Sequence, residues 1–265
     1  MGFIVAGAAL LGLLAGVYVR VLAGGFGPAP EFDTPKLDTP KLDTSKLDSP
    51  ELDASKLDAP ELDAPRLDAP ELDFTERRRA YRVEARQAFG RAVRAVPVPA
   101  WPPLIELGTA AACALVAWRL AWTPALAAWS YAAVAGCALA VIDWRTQRLP
   151  DAITLPSYPI IALLLVPTGH LVAGLLGGLA LAGVYAVLWF VRPGALGLGD
   201  VKLAGLAGML TGALGLDPWI VCAVGGQFLG ALYAVALLIT RRGTLQSQFP
   251  LGPFILLGAL AAVLR

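Results

Sequence analysis

The chain has 265 residues, of which 57% are hydrophobic and only 15% charged, and its formal net charge is +1. That charge is segregated: residues 31–73 hold nine Asp and four Glu against four Lys and one Arg, a local −8, so the remainder carries +9. So much apolar sequence with so few charges argues against a soluble domain and predicts an all-α, polytopic transmembrane helical bundle.

A bilayer crossing takes about 20 apolar residues. In chain order the candidate spans are about 3–22, 103–121, 124–142, 153–168, 171–191, 201–216, 218–240 and 250–264, or about eight. The first has no basic residue before its apolar run and has Arg20 beyond it, so residues 1–24 read as a retained anchor with its N-terminus outside.

Residues 25–75 form a low-complexity acidic segment. From Glu31 to Phe74 a five-residue unit recurs (KLDTP, ELDAP, RLDAP), with Leu or Phe and Asp at fixed places and Pro or Ser closing most units. A period of five matches neither a helix nor a strand face, and the prolines remove backbone donors. The expectation is an extended, disordered cytoplasmic segment; a pentapeptide solenoid is the alternative. Residues 76–100 follow as a basic amphipathic segment, with seven arginines between Arg77 and Arg94 alternating with Val and Phe89. It suits the anionic cytoplasmic leaflet, and the lipid bilayer is the expected partner in place of nucleic acid.

Residues 101–265 hold the remaining spans. With the N-terminus outside, fourteen Lys and Arg outside the repeat fall inside, and only Arg119 and Arg265 fall outside. This predicts a multi-pass protein of the cell membrane. Trp118, Trp122, Trp129, Trp189 and Trp219 lie near predicted span ends, as interfacial anchors do. Cys113, Cys137 and Cys222 are isolated within spans, which implies small buried side chains and no disulfide framework. His170 falls in a short outer loop. No metal site or cofactor is expected.

Acidic residues at membrane depth are costly and demand a reason. Glu106 opens the second span, where an arginine could pair with it. Asp143 ends the third span and Asp200 opens the sixth, so both fall at the cytoplasmic face. Gly197 and Gly199 precede Asp200 and allow a sharp turn or the close approach of another chain. If the two helices pack together, the carboxyl groups can share a proton. One then acts as base on a water and the other as acid toward the substrate. The bland alternative is two boundary aspartates neutralised by Arg145, Arg148 and Lys202.

GLGDVKL at 197–203 resembles the Gly-x-Gly-Asp-x-Lys-Leu motif of the type IV prepilin peptidases, the GxGD membrane aspartic proteases. Asp143, with Arg145 and then Leu149-Pro150-Asp151, is similar to the family's first aspartate motif. FPLGPFILLGA at 249–259, with Pro250, Gly252 and Pro253, is similar to its Pro-x-Gly-Pro segment. The stretch 13–22 is similar to a first-span motif ending in a basic residue. The likeness covers about residues 100–265. It implies an aspartic endopeptidase that removes the basic leader of prepilins or pseudopilins, with Asp143 and Asp200 as the catalytic pair. Gly197, Gly199, Lys202, Arg145, Pro150, Asp151, Pro250, Gly252 and Pro253 would be the supporting motif. Longer members carry a cytosolic domain, often with two CxxC pairs binding zinc, and also N-methylate the product. Here the Leu-Asp repeat occupies that place without a cysteine, so N-methyltransferase activity is not expected. An ion- or proton-coupled transporter, or a non-catalytic pilus or secretion assembly factor, are the alternatives. The sequence does not name the pilin or the oligomeric state.

Overall fold

The computed structural model describes residues 1–26, 74–94, 102–191, 196–241 and 249–265, without the side chains of 74–78. The Leu-Asp repeat up to Asp73 therefore lies outside the described residues. The chain divides into two units, Met1–Ala29 with Tyr81–Arg265, and Pro30–Ala80. The first unit holds the helical bundle.

Among the described residues the regular structure is helical, with no strand. The helices are α1 (Gly2–Ala23), α2 (Phe74–Arg94), α3 (Leu104–Leu120), α4 (Leu126–Thr146), α5 (Asp151–Leu165), α6 (Leu171–Val191), α7 (Leu198–Gly212), α8 (Leu216–Ile239) and α9 (Gly252–Leu264). Each of the eight expected spans coincides with a helix, and the basic segment forms α2. Five helical stretches are long and apolar enough to cross a bilayer: α1, α4, α5 with its 3-10 extension to Thr168, α6 and α8. Of the others, α3, α7 and α9 are shorter, and α2 is too rich in arginine. α7 has 15 residues, about 22 Å at helical rise. Its residues Leu203–Thr211 are all buried, so α7 is a core helix wrapped by its neighbours.

Helix ends differ from expectation by a few residues, and two of these differences matter. α4 runs on to Thr146 and α7 starts at Leu198, so Asp143 and Asp200 are inside terminal helical turns. α4 then stops at Gln147, whose left-handed backbone (φ 50°) donates its N–H to the Asp143 carbonyl at 2.8 Å. α5 tolerates Pro156 and Pro159 within its length. Hydroxyls serve the carbonyls nearby: Thr154 Oγ1 donates to Pro150 O and Ser157 Oγ to Ile153 O.

Helix pairs meet through glycine. A Cβ placed on Gly16 would stand 2.5 Å from Glu106 Cα, and one on Gly12 2.9 Å from Ala110 Cα, so α1 lies directly on α3. A Cβ on Gly177 would stand 2.6 Å from Gly208 O, which joins α6 to α7; one on Gly258 would stand 2.6 Å from Gly226 N, which joins α9 to α8. Such contacts let backbones pack where lipid provides no hydrophobic drive between helices.

Glu106, 1% exposed, is paired with Arg20 of α1, whose Nε donates to Glu106 Oε1 at 2.7 Å. The pair staples α1 to α3 at one end of the bundle. The expected solvent position of His170 holds: it is exposed, with its ring Nδ1 2.7 Å from Thr168 O. The three cysteines are free, and Cys113 and Cys222 are buried. One expectation fails. Trp129 is 3% exposed, a core residue and not an interfacial anchor, because the packing of α4 turns it inward.

Removing one partner of a buried ion pair leaves an uncompensated charge. Arg20→Met should therefore destabilise the protein by about 3 kcal/mol or more. The double variant Arg20→Met/Glu106→Leu should recover much of that loss, as read from unfolding midpoints in detergent.

Candidate active site

Asp143 stands in the last turn of α4 and is 3% exposed. Its carboxylate accepts the backbone N–H of Gly252 at 3.0 Å, so the first residue of α9 delivers an amide to it. That contact needs a residue without a side chain: a Cβ on Gly252 would stand 2.7 Å from Asp143 Oδ2 and 3.3 Å from Leu203 Cδ2. Gly252 is thus wedged between the acid of α4 and the second turn of α7. Pro253 at the start of α9 suits a position whose missing N–H costs nothing.

Asp200 is the third residue of α7. Its Oδ2 accepts the Gly197 N–H at 3.1 Å, closing the turn that starts the helix. Gly197 itself has φ −82°, so no left-handed turn calls for glycine there. At Gly199 the reason is close approach, because a Cβ would stand 2.9 Å from Leu149 Cβ. Leu149-Pro150-Asp151 is thereby pressed against the Asp200 turn. Asp143 and Asp200 lie close enough to interact electrostatically. The two acids, 57 positions apart in sequence, meet at one end of the bundle.

The basic neighbours do not neutralise them. Among the described residues no ion pair reaches Asp143 or Asp200, and Arg145 and Arg148 are exposed. Lys202 Nζ pairs instead with Asp151 Oδ1 at 2.6 Å, linking α7 to the start of α5. A second link runs from Tyr158 of α5, whose hydroxyl donates to the Lys202 carbonyl at 2.7 Å. Pro250 lies just before α9 and precedes the Gly252 contact. Of the sequence-marked residues, Gly197, Gly199, Lys202, Asp151 and Gly252 are joined by these contacts to the two acid-bearing turns. Missed were Tyr158 and Tyr81, whose hydroxyl oxygen accepts the Ala152 N–H at 2.9 Å. A tyrosine inside an apolar span was the available signal for the first; for the second there was none.

Below the acids lies an apolar cavity of about 360 Å³ between α3, α4, α5, α7 and α9. Leu203 and Pro253 line it at the end nearest the acids, and Val116 and Trp129 are among its other lining residues. Among the described residues no group of three His, Cys, Asp or Glu is arranged to hold a metal ion.

Residues 130–235 match the model of the type IV leader peptidase family, a stretch that contains both aspartates. Over this stretch the chain is similar to that family. A prepilin leader peptidase/N-methyltransferase of Pseudomonas putida is 34% identical over 174 residues, covering 61% of this chain and 58% of that protein. Its counterpart by name in Bacillus subtilis (strain 168) is 31% identical over 128 residues, covering 48% of this chain and 50% of its own length. The chain thus spans little more than half the length of the curated relatives it matches. No solved structure matches it significantly.

The Gly252 wedge can be tested without reference to activity. Gly252→Ala should cost about 1–3 kcal/mol, the range for inserting an atom into a packed site. Gly225→Ala, whose new Cβ would lie 3.7 Å from Gly258 Cα, should cost little in the same thermal unfolding assay.

Proposed function

We propose that this protein is a membrane aspartic endopeptidase that removes the basic leader peptide of prepilins or pseudopilins at the cytoplasmic membrane face. The observation that carries the reading is the pairing of Asp143 and Asp200. Two carboxyl groups interact at one end of the bundle, each holding a backbone N–H, and among the described residues neither is ion-paired. An ion pair would pin a carboxylate in its charged form. Two acids left to each other can divide one proton, so that one serves as base on a water while the other donates to the scissile carbonyl; the proton taken from the water then goes to the leaving amine, and the donated one returns as the diol collapses.

The supporting residues have structural parts in this reading. Gly252 supplies the N–H that orients Asp143, and Gly199 lets the Leu149-Pro150-Asp151 turn close against Asp200. Lys202 acts through Asp151, fixing the first turn of α7, and not as a direct partner of Asp200. No metal or cofactor is required. The distribution of Lys and Arg supports an N-terminus outside and the acids inside. A prepilin leader, being basic, would then meet the acids from the side where it is made.

The relatives' names add N-methyl transfer. We assign this chain the peptidase reaction alone, because no cysteine occurs between its first residue and Cys113, where longer members carry their CxxC pairs.

Asp143→Asn and Asp200→Asn should each lower cleavage of a synthetic leader peptide by about 10³-fold or more, because an amide can neither give nor take the proton. Both variants should insert and unfold like the parent. Substantial cleavage by either one removes that residue from the pair. Ion flux through reconstituted vesicles without cleavage would favour a transporter.

Deleting residues 31–74 should leave kcat on the short peptide unchanged. If the acidic repeat gathers basic leaders electrostatically, the deletion should raise KM for full-length prepilin at low salt only, since charges screen over about 10 Å at 0.1 M.

A further inference from the structure

The basic helix α2 rests on its neighbours through one face. Tyr81, Ala85, Ala88 and Ala92 recur at helical spacing, and the three alanines are 7%, 0% and 7% exposed. Ala88 packs on the end of α1, where a Cβ on Gly25 would stand 2.6 Å from the Ala88 Cβ. Arg91 Nη2 donates to the Gly25 carbonyl at 3.2 Å and closes that contact. Near its start, α2 reaches a different helix. Tyr81 Oη accepts the Ala152 N–H at 2.9 Å, and the Asp151 amide faces the same oxygen.

Those amides belong to the first turn of α5, where backbone donors have no partner within the helix. Pro150, the residue preceding α5, makes no side-chain cap. Tyr81 is therefore an N-terminal cap delivered from another helix. Burial raises the Tyr81 pKa above its ordinary value, so the hydroxyl remains protonated and neutral at the pH at which such a site would work.

The turn that Tyr81 caps is also the one that grips α7. Leu149 presses on Gly199, Asp151 Oδ1 pairs with Lys202 Nζ at 2.6 Å, and Tyr158 Oη binds the Lys202 carbonyl at 2.7 Å. These contacts bracket Asp200 on both sides in sequence. Asp151 and Lys202 are 45% and 36% exposed in their side chains. A pair as open as this contributes little to folding stability. Its consequence is geometric: it sets where the first turn of α7 stands.

We propose that Tyr81 is a positioning residue for Asp200, setting the place of its carboxylate by capping α5 and, through Asp151 and Lys202, aligning the first turn of α7. The proposal rests on the role of Asp200 under the proposed function.

The test uses the full chain in lipid nanodiscs, with Tyr81→Phe removing one oxygen and leaving the ring in place. On a short soluble leader peptide, kcat should fall about tenfold with KM unchanged, on the scale of a misplaced reacting group. Asp151→Asn should act in the same direction, and the double variant should be no worse than the poorer single one. Amide exchange of residues 198–206 should quicken in Tyr81→Phe while that of α8 stays as in the parent. Additive losses from the two substitutions would overturn the proposal, as would unchanged kcat with unchanged exchange. A fall in kcat matched by an equal fall in folded protein, without local exchange, would make Tyr81 merely structural and also overturn it. If the parent cleaves no leader peptide, the peptidase reading fails, while exchange at 198–206 still decides whether Tyr81 controls the Asp200 turn.

Discussion

Lipid tails are as apolar as leucine, so a helix in a bilayer gains nothing by burying an apolar face against another helix. What remains is contact, and contact requires the backbones to come close. In this protein that requirement is met by glycines facing backbone across α1–α3, α6–α7 and α8–α9. The α6–α7 pair matters most. Gly177 and Gly178 of α6 meet Gly205, Gly208 and Gly212 of α7, and any Cβ there would strike a carbonyl, a Cα or a neighbouring side chain. Glycine packing thus holds α7 against α6 from Gly205 to Gly212, and the contacts of Asp151 and Tyr158 with Lys202 act on the turns ahead of that stretch.

The same economy of size operates at the site. Gly252 brings an amide to Asp143 because it has no side chain to keep the carboxylate away, and Gly199 admits Leu149 for the same reason. The acids are thus held by backbone N–H groups at two helix starts, and the nearby cations are directed elsewhere. Lys202 goes to Asp151, and Arg145 and Arg148 are exposed. On the proposed reading this division has a chemical sense. A hydrogen bond from an amide orients a carboxylate while leaving it free to change protonation; a salt bridge would oppose the change.

Much of this was legible in the chain itself. Apolar runs mark helices because the signal is local, and each of the expected spans found its helix. Asp200 was conspicuous because Gly197, Gly199 and Lys202 stand within three residues of it. Asp143 followed from its place at the end of a span and from the Pro150-Asp151 sequence beyond. The identity of Lys202's partner was not legible, since Asp151 lies 51 positions away and a snorkelling lysine or one serving Asp200 read equally well. Trp129 read as an anchor because hydropathy locates a span end but does not say which way a ring faces.

Composition and local pattern therefore determined that this is a helical membrane protein, where its helices begin and end to within a few residues, and which two acids stand in terminal helical turns. These properties depend on neighbours in sequence and on the transfer of side chains into lipid, which the chain expresses residue by residue. Tertiary structure alone decided which groups meet the acids. Gly252 reaches Asp143 across 109 positions, Tyr81 reaches Ala152 across 71, and Arg20 reaches Glu106 across 86. Such partners are chosen by how closely helices pack, and helix packing depends on which faces lack side chains and on which neighbour each face meets.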